Sequence, residues 1–203
     1  LVDEGYVLGF GAYRQKNDRW KDRSEHNLLV YGEARLPGAL TFRAEYLHQR
    51  FAAANGDPDR FKAFGLPVRP DSIEGFAGPL AGVLAGLDWA AEQGAETVVS
   101  VAANTPFFPC DLVPRLLLAA EGMASPLALA ATPDGRHPTF GLWPVALRDD
   151  LRGALKGGLR KVVQWTDRHG AAEALFDPDG DPFFNVNTPE DLATAEGMLE
   201  NRA

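Results

Sequence analysis

The sequence predicts an α/β domain with a mostly parallel sheet held between two layers of helices. Three observations carry this expectation. Short apolar runs alternate with amphipathic stretches from residue 51 onward. One of those runs, residues 97–102, is small and β-branched throughout, the composition of a strand covered on both faces. The chain of 203 residues is also long enough for one sizeable core, so a single domain over residues 1–203 is expected.

The elements follow in order. Residues 6–10 read as a short strand, after which residues 14–25 are polar without periodicity and Gly32, Pro37 and Gly38 punctuate the chain. Residues 51–55 read as a strand, Gly56-Asp57-Pro58 as a turn, residues 59–64 as a short helix stopped by Gly65, and residues 66–68 as a brief strand. A polar loop, Arg69-Pro70-Asp71-Ser72, leads to the glycine-rich stretch 75–82. Leu80, Val83, Leu84, Leu87 and Ala91 then recur at helical spacing behind Pro79, which suits a first helical position because its missing N–H is not needed there. After the strand at 97–102, Asn104-Thr105-Pro106-Phe107-Phe108-Pro109 makes a stiff loop and residues 111–121 a helix. Residues 126–131 read as a strand, 135–137 as a turn, 140–143 as a strand, 146–156 as a helix ended by Gly157-Gly158, and 160–169 as another helix. Residues 174–176 and 183–186 complete the predicted strands. In the last helix Thr188 can cap, Pro189 can open and Asp191 can close a capping box.

Composition narrows the function classes. Lys and Arg number 20 against 28 Asp and Glu, a formal charge of −8 that disfavours nucleic acid and anionic membranes while leaving room for a local phosphate pocket. The charge is uneven, with 8 basic and 7 acidic side chains in residues 1–50 against 12 and 21 in the rest. The single cysteine, Cys110, offers neither an internal disulfide nor a thiolate-rich metal site. No apolar run approaches the ~20 residues of a membrane span, and residues 1–4 lack the basic-then-apolar order of a secretory signal, so a cytoplasmic protein is expected.

In a helix-covered sheet, ligands gather outside the carboxyl ends of the strands, where helix N-termini present free N–H groups. Asp71, Asn104 and Asn187 each follow a predicted strand and would frame a polar cleft if the sheet order brings them together. Each also has a plainer reading, as a turn aspartate, a loop or cap residue, and the residue before a helix cap. Gly78 and Gly82 flank a tight passage that would admit a flat base or simply close helix packing. His137, between Arg136 and Pro138, is a surface corner or a substrate contact. Arg160 and Lys161 are a solvated helix edge or a cationic grip for a phosphorylated substrate. The four histidines show no metal-ligand spacing.

From Asn55 onward, over about 150 residues, the chain resembles the molybdenum cofactor guanylyltransferase family, the MobA-type nucleotidyltransferases. The resemblance rests on Asn55-Gly56-Asp57-Pro58, Pro70-Asp71-Ser72, Gly78-Pro79-Leu80-Ala81-Gly82, Asn104-Thr105-Pro106-Phe107, Arg136-His137-Pro138-Thr139 and the run from Phe184 to Leu192, in that order. It implies a Rossmann-like three-layer fold and transfer of GMP from magnesium-bound GTP to molybdopterin cofactor, with release of pyrophosphate. It places Leu8, Gly9, Gly11, Lys21, Asp71, Gly78, Pro79, Leu80, Gly82 and Asn104 at the nucleotide. Arg136, His137, Arg160, Lys161, Asn185 and Asn187 fall on the pterin side. Lys21 and Asn104 take the catalytic positions, and Asn104 and Asn187 the Mg²⁺ positions. A monomer acting on small molecules, in transient contact with molybdenum cofactor enzymes or insertion proteins, is implied as well.

Residues 1–50 depart from the family pattern. A glycine-rich loop with the order Leu-Ala-Gly-Gly would hold the triphosphate there; this chain has Leu8-Gly9-Phe10-Gly11, then Trp20-Lys21. Ala53 stands where the family has an asparagine, and Asn104 where it has a metal-binding aspartate. Loss of that carboxylate weakens charge neutralisation of the migrating group at a cost of several kcal/mol, which predicts poor or absent turnover unless other groups compensate. A catalytically silent homologue that binds nucleotide, pterin cofactor or a partner protein is the competing expectation.

Overall fold

The computed structural model describes residues 28–36, 40–48, 68, 69, 71–73, 78–102 and 104–200. The strand predicted at 6–10 and the strand, turn and helix predicted over 51–65 lie outside them. In chain order the elements are β1 (Leu28–Leu36), β2 (Leu40–His48), β3 (Val68–Arg69), α1 (Pro79–Glu92), β4 (Thr97–Ala102), α2 (Leu112–Ala119), β5 (Ala128–Thr132), β6 (Gly135–Pro144), α3 (Arg148–Lys156), α4 (Val162–Arg168), β7 (Ala172–Leu175) and α5 (Pro189–Glu200). One short 3-10 turn, Val145–Leu147, joins β6 to α3.

The seven strands form one sheet in the order β3-β2-β1-β4-β6-β5-β7. Its pairings correct the predicted mostly parallel sheet. Four are antiparallel, β1 with β2, β1 with β4, β4 with β6 and β5 with β6, and only β2 with β3 and β5 with β7 are parallel. For the two pairs that are consecutive in the chain, the reason is connection length. Only residues 37–39 separate β1 from β2, and only Pro133-Asp134 separates β5 from β6, whereas a parallel crossover needs a dozen or more residues. The turn expected at 135–137 falls earlier, and those residues are instead the start of a ten-residue β6.

Strand direction, more than pairing, decides where the loops gather. Traced outward from β4, strands β2, β3, β5 and β7 run its way and only β1 and β6 run against it. The ends of β3, β4 and β7 and the beginning of β6 therefore share one rim.

Helices cover both sheet faces, and side-chain alternation along the strands explains how. Val98, Leu127, Leu129 and Trp143 join Leu80, Leu84 and Leu87 of α1, Leu151 and Leu155 of α3, and Trp165 of α4 in one core. Val99, Val101, Ala128, Ala130, Phe140 and Leu142 join Leu112 and Leu116 of α2 and Phe183 in the other. Each fully buried large side chain stabilises the fold by about 1.5–3 kcal/mol. Asp150 Oδ1 fastens α3 to α4, accepting the Trp165 indole N–H at 2.8 Å and lying 2.8 Å from His169 Nε2. The indole bond chiefly, and His169 after it, hold the Asp150 carboxyl below its ordinary range.

The strand predicted at 183–186 does not form. That segment is irregular; Phe183 is buried beneath it, and Val186 N–H donates to the Asn104 carbonyl at 2.7 Å. Its backbone is thus tied to a loop rather than to the sheet.

Between β4 and β6, Ser100 is fully buried and doubly bonded: its Oγ donates to the Thr139 carbonyl at 2.8 Å and accepts the Trp143 Nε1–H at 2.7 Å. Removing the hydroxyl orphans a buried indole N–H and a carbonyl. Ser100→Ala should lower unfolding free energy by about 1–3 kcal/mol in urea titration; a loss within about 0.3 kcal/mol would show that the β4–β6 lock is dispensable.

Candidate functional site

The shared rim carries its best-built contacts where the loop after β4 meets residues 183–188. Asn104 Nδ2 donates to Asn187 Oδ1 at 2.8 Å, and Thr105 Oγ1 donates to Asn185 Oδ1 at 2.6 Å. The Val186-to-Asn104 backbone bond lies between them in the chain. Thr105 is buried, while Asn185 and Asn187 are exposed and Asn104 half-buried. Asn104 and Asn187, distant in sequence, are thus in direct contact.

The start of α5 sets the Asn187 backbone. Asp191 Oδ2 accepts the N–H groups of Asn187 and Thr188, each at 2.9 Å, and Asp191 N–H returns to Thr188 Oγ1 at 3.1 Å. This is the reciprocal capping box that Thr188 and Asp191 predicted. The Asn187 bond first, then Thr188, holds the Asp191 carboxyl below its ordinary range.

His137 underpins the same segment from β6. Its ring stacks on Phe183 at 4.0 Å between centroids and 20° between planes, and its Nε2 shares a 3.1 Å hydrogen bond with Thr132 Oγ1. Phe140 and Phe176 meet the Phe183 ring edge-on, at 4.8 and 5.6 Å. Arg136, its neighbour, is engaged elsewhere: Nε pairs with Glu173 of β7 at 2.6 Å and Nη1 with Asp167 of α4. Asp167, then Glu173, raise the Arg136 pKa above its ordinary value.

The glycine-rich turn lies by the α3–α4 linker. Gly78 caps α1 at φ +78°, and a Cβ built there would stand 3.7 Å from the Arg160 carbonyl. The positive φ is where a side chain would be strained. Pro79 takes the first helical position, while Leu80 and Gly82 are buried in α1. The Arg160 guanidinium caps α3, with Nη1 donating to the Leu155 and Leu159 carbonyls at 2.8 Å each. Lys161 is exposed immediately before α4.

Asp71 is half-buried after β3, three strand positions from β4, a lateral distance of about 14 Å at ordinary strand spacing. Its neighbour Ser72 donates to Asp88 Oδ2 at 2.6 Å, and Asp88 also pairs with Arg152 and, at 3.6 Å, with Arg148 of α3. Leu8, Gly9, Gly11, Lys21, Phe10 and Ala53 lie outside the described residues. Among the described residues, no cluster of three or more His, Cys, Asp or Glu side chains is arranged to hold a metal.

Sequence reasoning missed Thr105 and Asp88 as organisers of these loops. Arg148 and Arg152, four apart on one helical face, are the available signal for a shared acidic partner. A threonine next to Asn104 carried no such signal.

Burial of His137 pushes its pKa below 6.5, with Asp181 and Asp134 pulling weakly the other way. The unfolded chain therefore takes up this proton before the folded protein does, so stability falls as pH drops below about 6.5. His137→Gln should flatten that part of the decline in unfolding midpoint between about pH 8 and pH 5.5. Parallel curves for the two proteins would exclude His137 as the source.

The comparisons with known proteins agree. The family model described as "MobA-like NTP transferase domain" matches residues 25–172, beginning before Asn55 and spanning β1 and β2. A molybdenum cofactor guanylyltransferase of Bradyrhizobium sp. (strain ORS 278) is 49% identical over 86% of this chain and 85% of its own length. Proteins of the same name from Mesorhizobium japonicum and Cereibacter sphaeroides are 49% and 51% identical, over 73% and 74% of this chain and 74% and 75% of their own. The crystal structure of molybdopterin-guanine dinucleotide biosynthesis protein A from Archaeoglobus fulgidus superposes with a TM-score of 0.54 at 21% identity, over 71% of this chain and 76% of that one, a likeness of fold. The rim that unites the loops after β3, β4 and β7 is thus built on a chain that belongs to the MobA-like NTP transferase family.

Proposed function

We propose that this protein transfers GMP from GTP to the molybdopterin cofactor, forming the guanine dinucleotide and releasing pyrophosphate. The observation that carries the reading is the identity of about half the residues, over most of both chains, to molybdenum cofactor guanylyltransferases. The rim supports it, because an extended nucleotide can run from Asp71 and the Gly78 turn toward Asn104, with the acceptor on the Asn185 and Asn187 side.

In the transfer, a phosphate oxygen of the pterin attacks the GTP α-phosphorus, the new O–P bond forms opposite the bond to the β-phosphate oxygen, and pyrophosphate departs. No covalent bond to the protein is required. The protein contributes positioning and fixed dipoles. The amide and backbone bonds at Asn104, Thr105 and Val186 hold the acceptor side in register with the nucleotide side. Lys21 would offset charge on the leaving phosphates.

Donor chemistry tests the expected metal pair. Asn104 and Asn187 are neutral carboxamides, and their mutual bond already occupies Asn187 Oδ1. Magnesium favours charged oxygens, so the pair does not fit a resident Mg²⁺ site, and no step is assigned to a metal on it. This same observation favours a second reading, a homologue that binds GTP or the pterin without turnover.

Pyrophosphate release from GTP in the presence of molybdopterin cofactor and magnesium separates the two. Dinucleotide formation is the expected result; GTP binding with no release at high protein concentration would leave only the silent binder. Asn104→Asp, which restores a carboxylate, should tighten magnesium-dependent GTP binding about tenfold and raise turnover. Unchanged binding and turnover would remove position 104 from the nucleotide and metal assignment.

A further inference from the structure

Thr105 is 2% exposed, and its hydroxyl has one proton to give. That proton goes to Asn185 Oδ1 at 2.6 Å. With its carbonyl oxygen bound to Thr105, the exposed Asn185 carboxamide keeps its NH₂ for a further partner. Asn187 is held in the same sense, since its Oδ1 accepts Asn104 Nδ2 at 2.8 Å. The segment 185–187 thus offers two amide NH₂ groups, four N–H donors, at one rim. Their complement is a group rich in acceptor oxygens and carrying no donors of its own.

We infer that Thr105 is a specificity-determining positioning residue: by fixing the Asn185 carboxamide with its NH₂ outward, it aims hydrogen-bond donors at the phosphate of the acceptor substrate. The inference rests on the guanylyltransferase reading above and adds to it the residue that sets the donor polarity. Without the hydroxyl, Asn185 loses the partner that distinguishes its oxygen from its nitrogen. The carboxamide then rotates freely and presents its oxygen to the phosphate part of the time.

The test uses Thr105→Val, which keeps the shape and removes the proton. The KM for molybdopterin cofactor should rise about two- to threefold, the cost of a carboxamide that presents its NH₂ only part of the time, while the KM for GTP is unchanged. Thr105→Ser, which keeps the hydroxyl, should restore the wild-type value. Should Thr105→Val fold poorly, Asn185→Asp on the exposed surface serves instead: it preserves size, offers no N–H, and should raise the same KM by at least as much with an unchanged Tm. A wild-type KM for the cofactor in either variant, or an equal rise in both KM values, overturns the inference. If the wild-type protein does not turn over, the same comparison is made on cofactor dissociation constants by calorimetry. Wild-type protein that binds GTP but no cofactor overturns the function reading and this inference together; cofactor binding insensitive to Thr105→Val and Asn185→Asp overturns this inference alone.

Discussion

The structure depends on β4 being apolar toward two cores at once. Val98 packs against α1, Val99 and Val101 against the α2 side, and all six residues of the strand are buried. Ser100, midway along this strand, is satisfied by Thr139 and Trp143 of β6. The constraint reaches beyond the core. With β4 fixed on both faces, its end is fixed too, and Asn104 and Thr105 leave it on one rim. From there they reach residues 185–187 through bonds that a mobile strand end would not sustain.

Sheet direction explains how the rim forms although the sheet is mostly antiparallel. The rule that ligands gather at the carboxyl ends of strands needs aligned strand directions, not parallel neighbours. Here β6 is inserted between β4 and β5, and each of its pairings is antiparallel. Two reversals cancel, so β5 and, through it, β7 again point with β4. The reversed strand adds to the rim by its beginning instead of its end, which is why His137, near the start of β6, lies under Phe183, beyond the end of β7.

Much of this is legible in the sequence where local chemistry decides it. Pro79 behind Gly78 marks the start of α1, the small β-branched run marks β4, and Thr188 with Asp191 marks the cap of α5. What escapes depends on partners remote in the chain. Residues 183–186 have strand composition, yet Val186 N–H bonds the Asn104 carbonyl and Phe183 stacks on His137, so the segment stays irregular. The turn before β6 lies two residues ahead of its expected place because Gly135 resembles a turn centre, although it begins the strand. Arg160 is a cation placed to grip phosphate; the Leu155 carbonyl in the last turn of α3 and the Leu159 carbonyl after it take its guanidinium. The contact between Asn104 and Asn187 follows from strand order, which no local pattern encodes.

Position 104 carries an asymmetry that reaches beyond its own charge. An aspartate there has only acceptors, so its bond to Asn187 has one possible sense: Asn187 donates its NH₂ and leaves its carbonyl oxygen facing outward. The asparagine in this chain donates instead, and the Asn187 oxygen is the atom consumed. Replacing one oxygen by NH₂ removes a negative charge at 104 and also permits the sense seen here, in which the Asn187 oxygen accepts and its NH₂ is left over. Both changes act in the same direction, making the rim less hospitable to a cation and more hospitable to an anion. Thr105 bonds the Asn185 oxygen in the same way, so the two carboxamides on either side of Val186 both have their oxygens engaged and their NH₂ groups left for other partners.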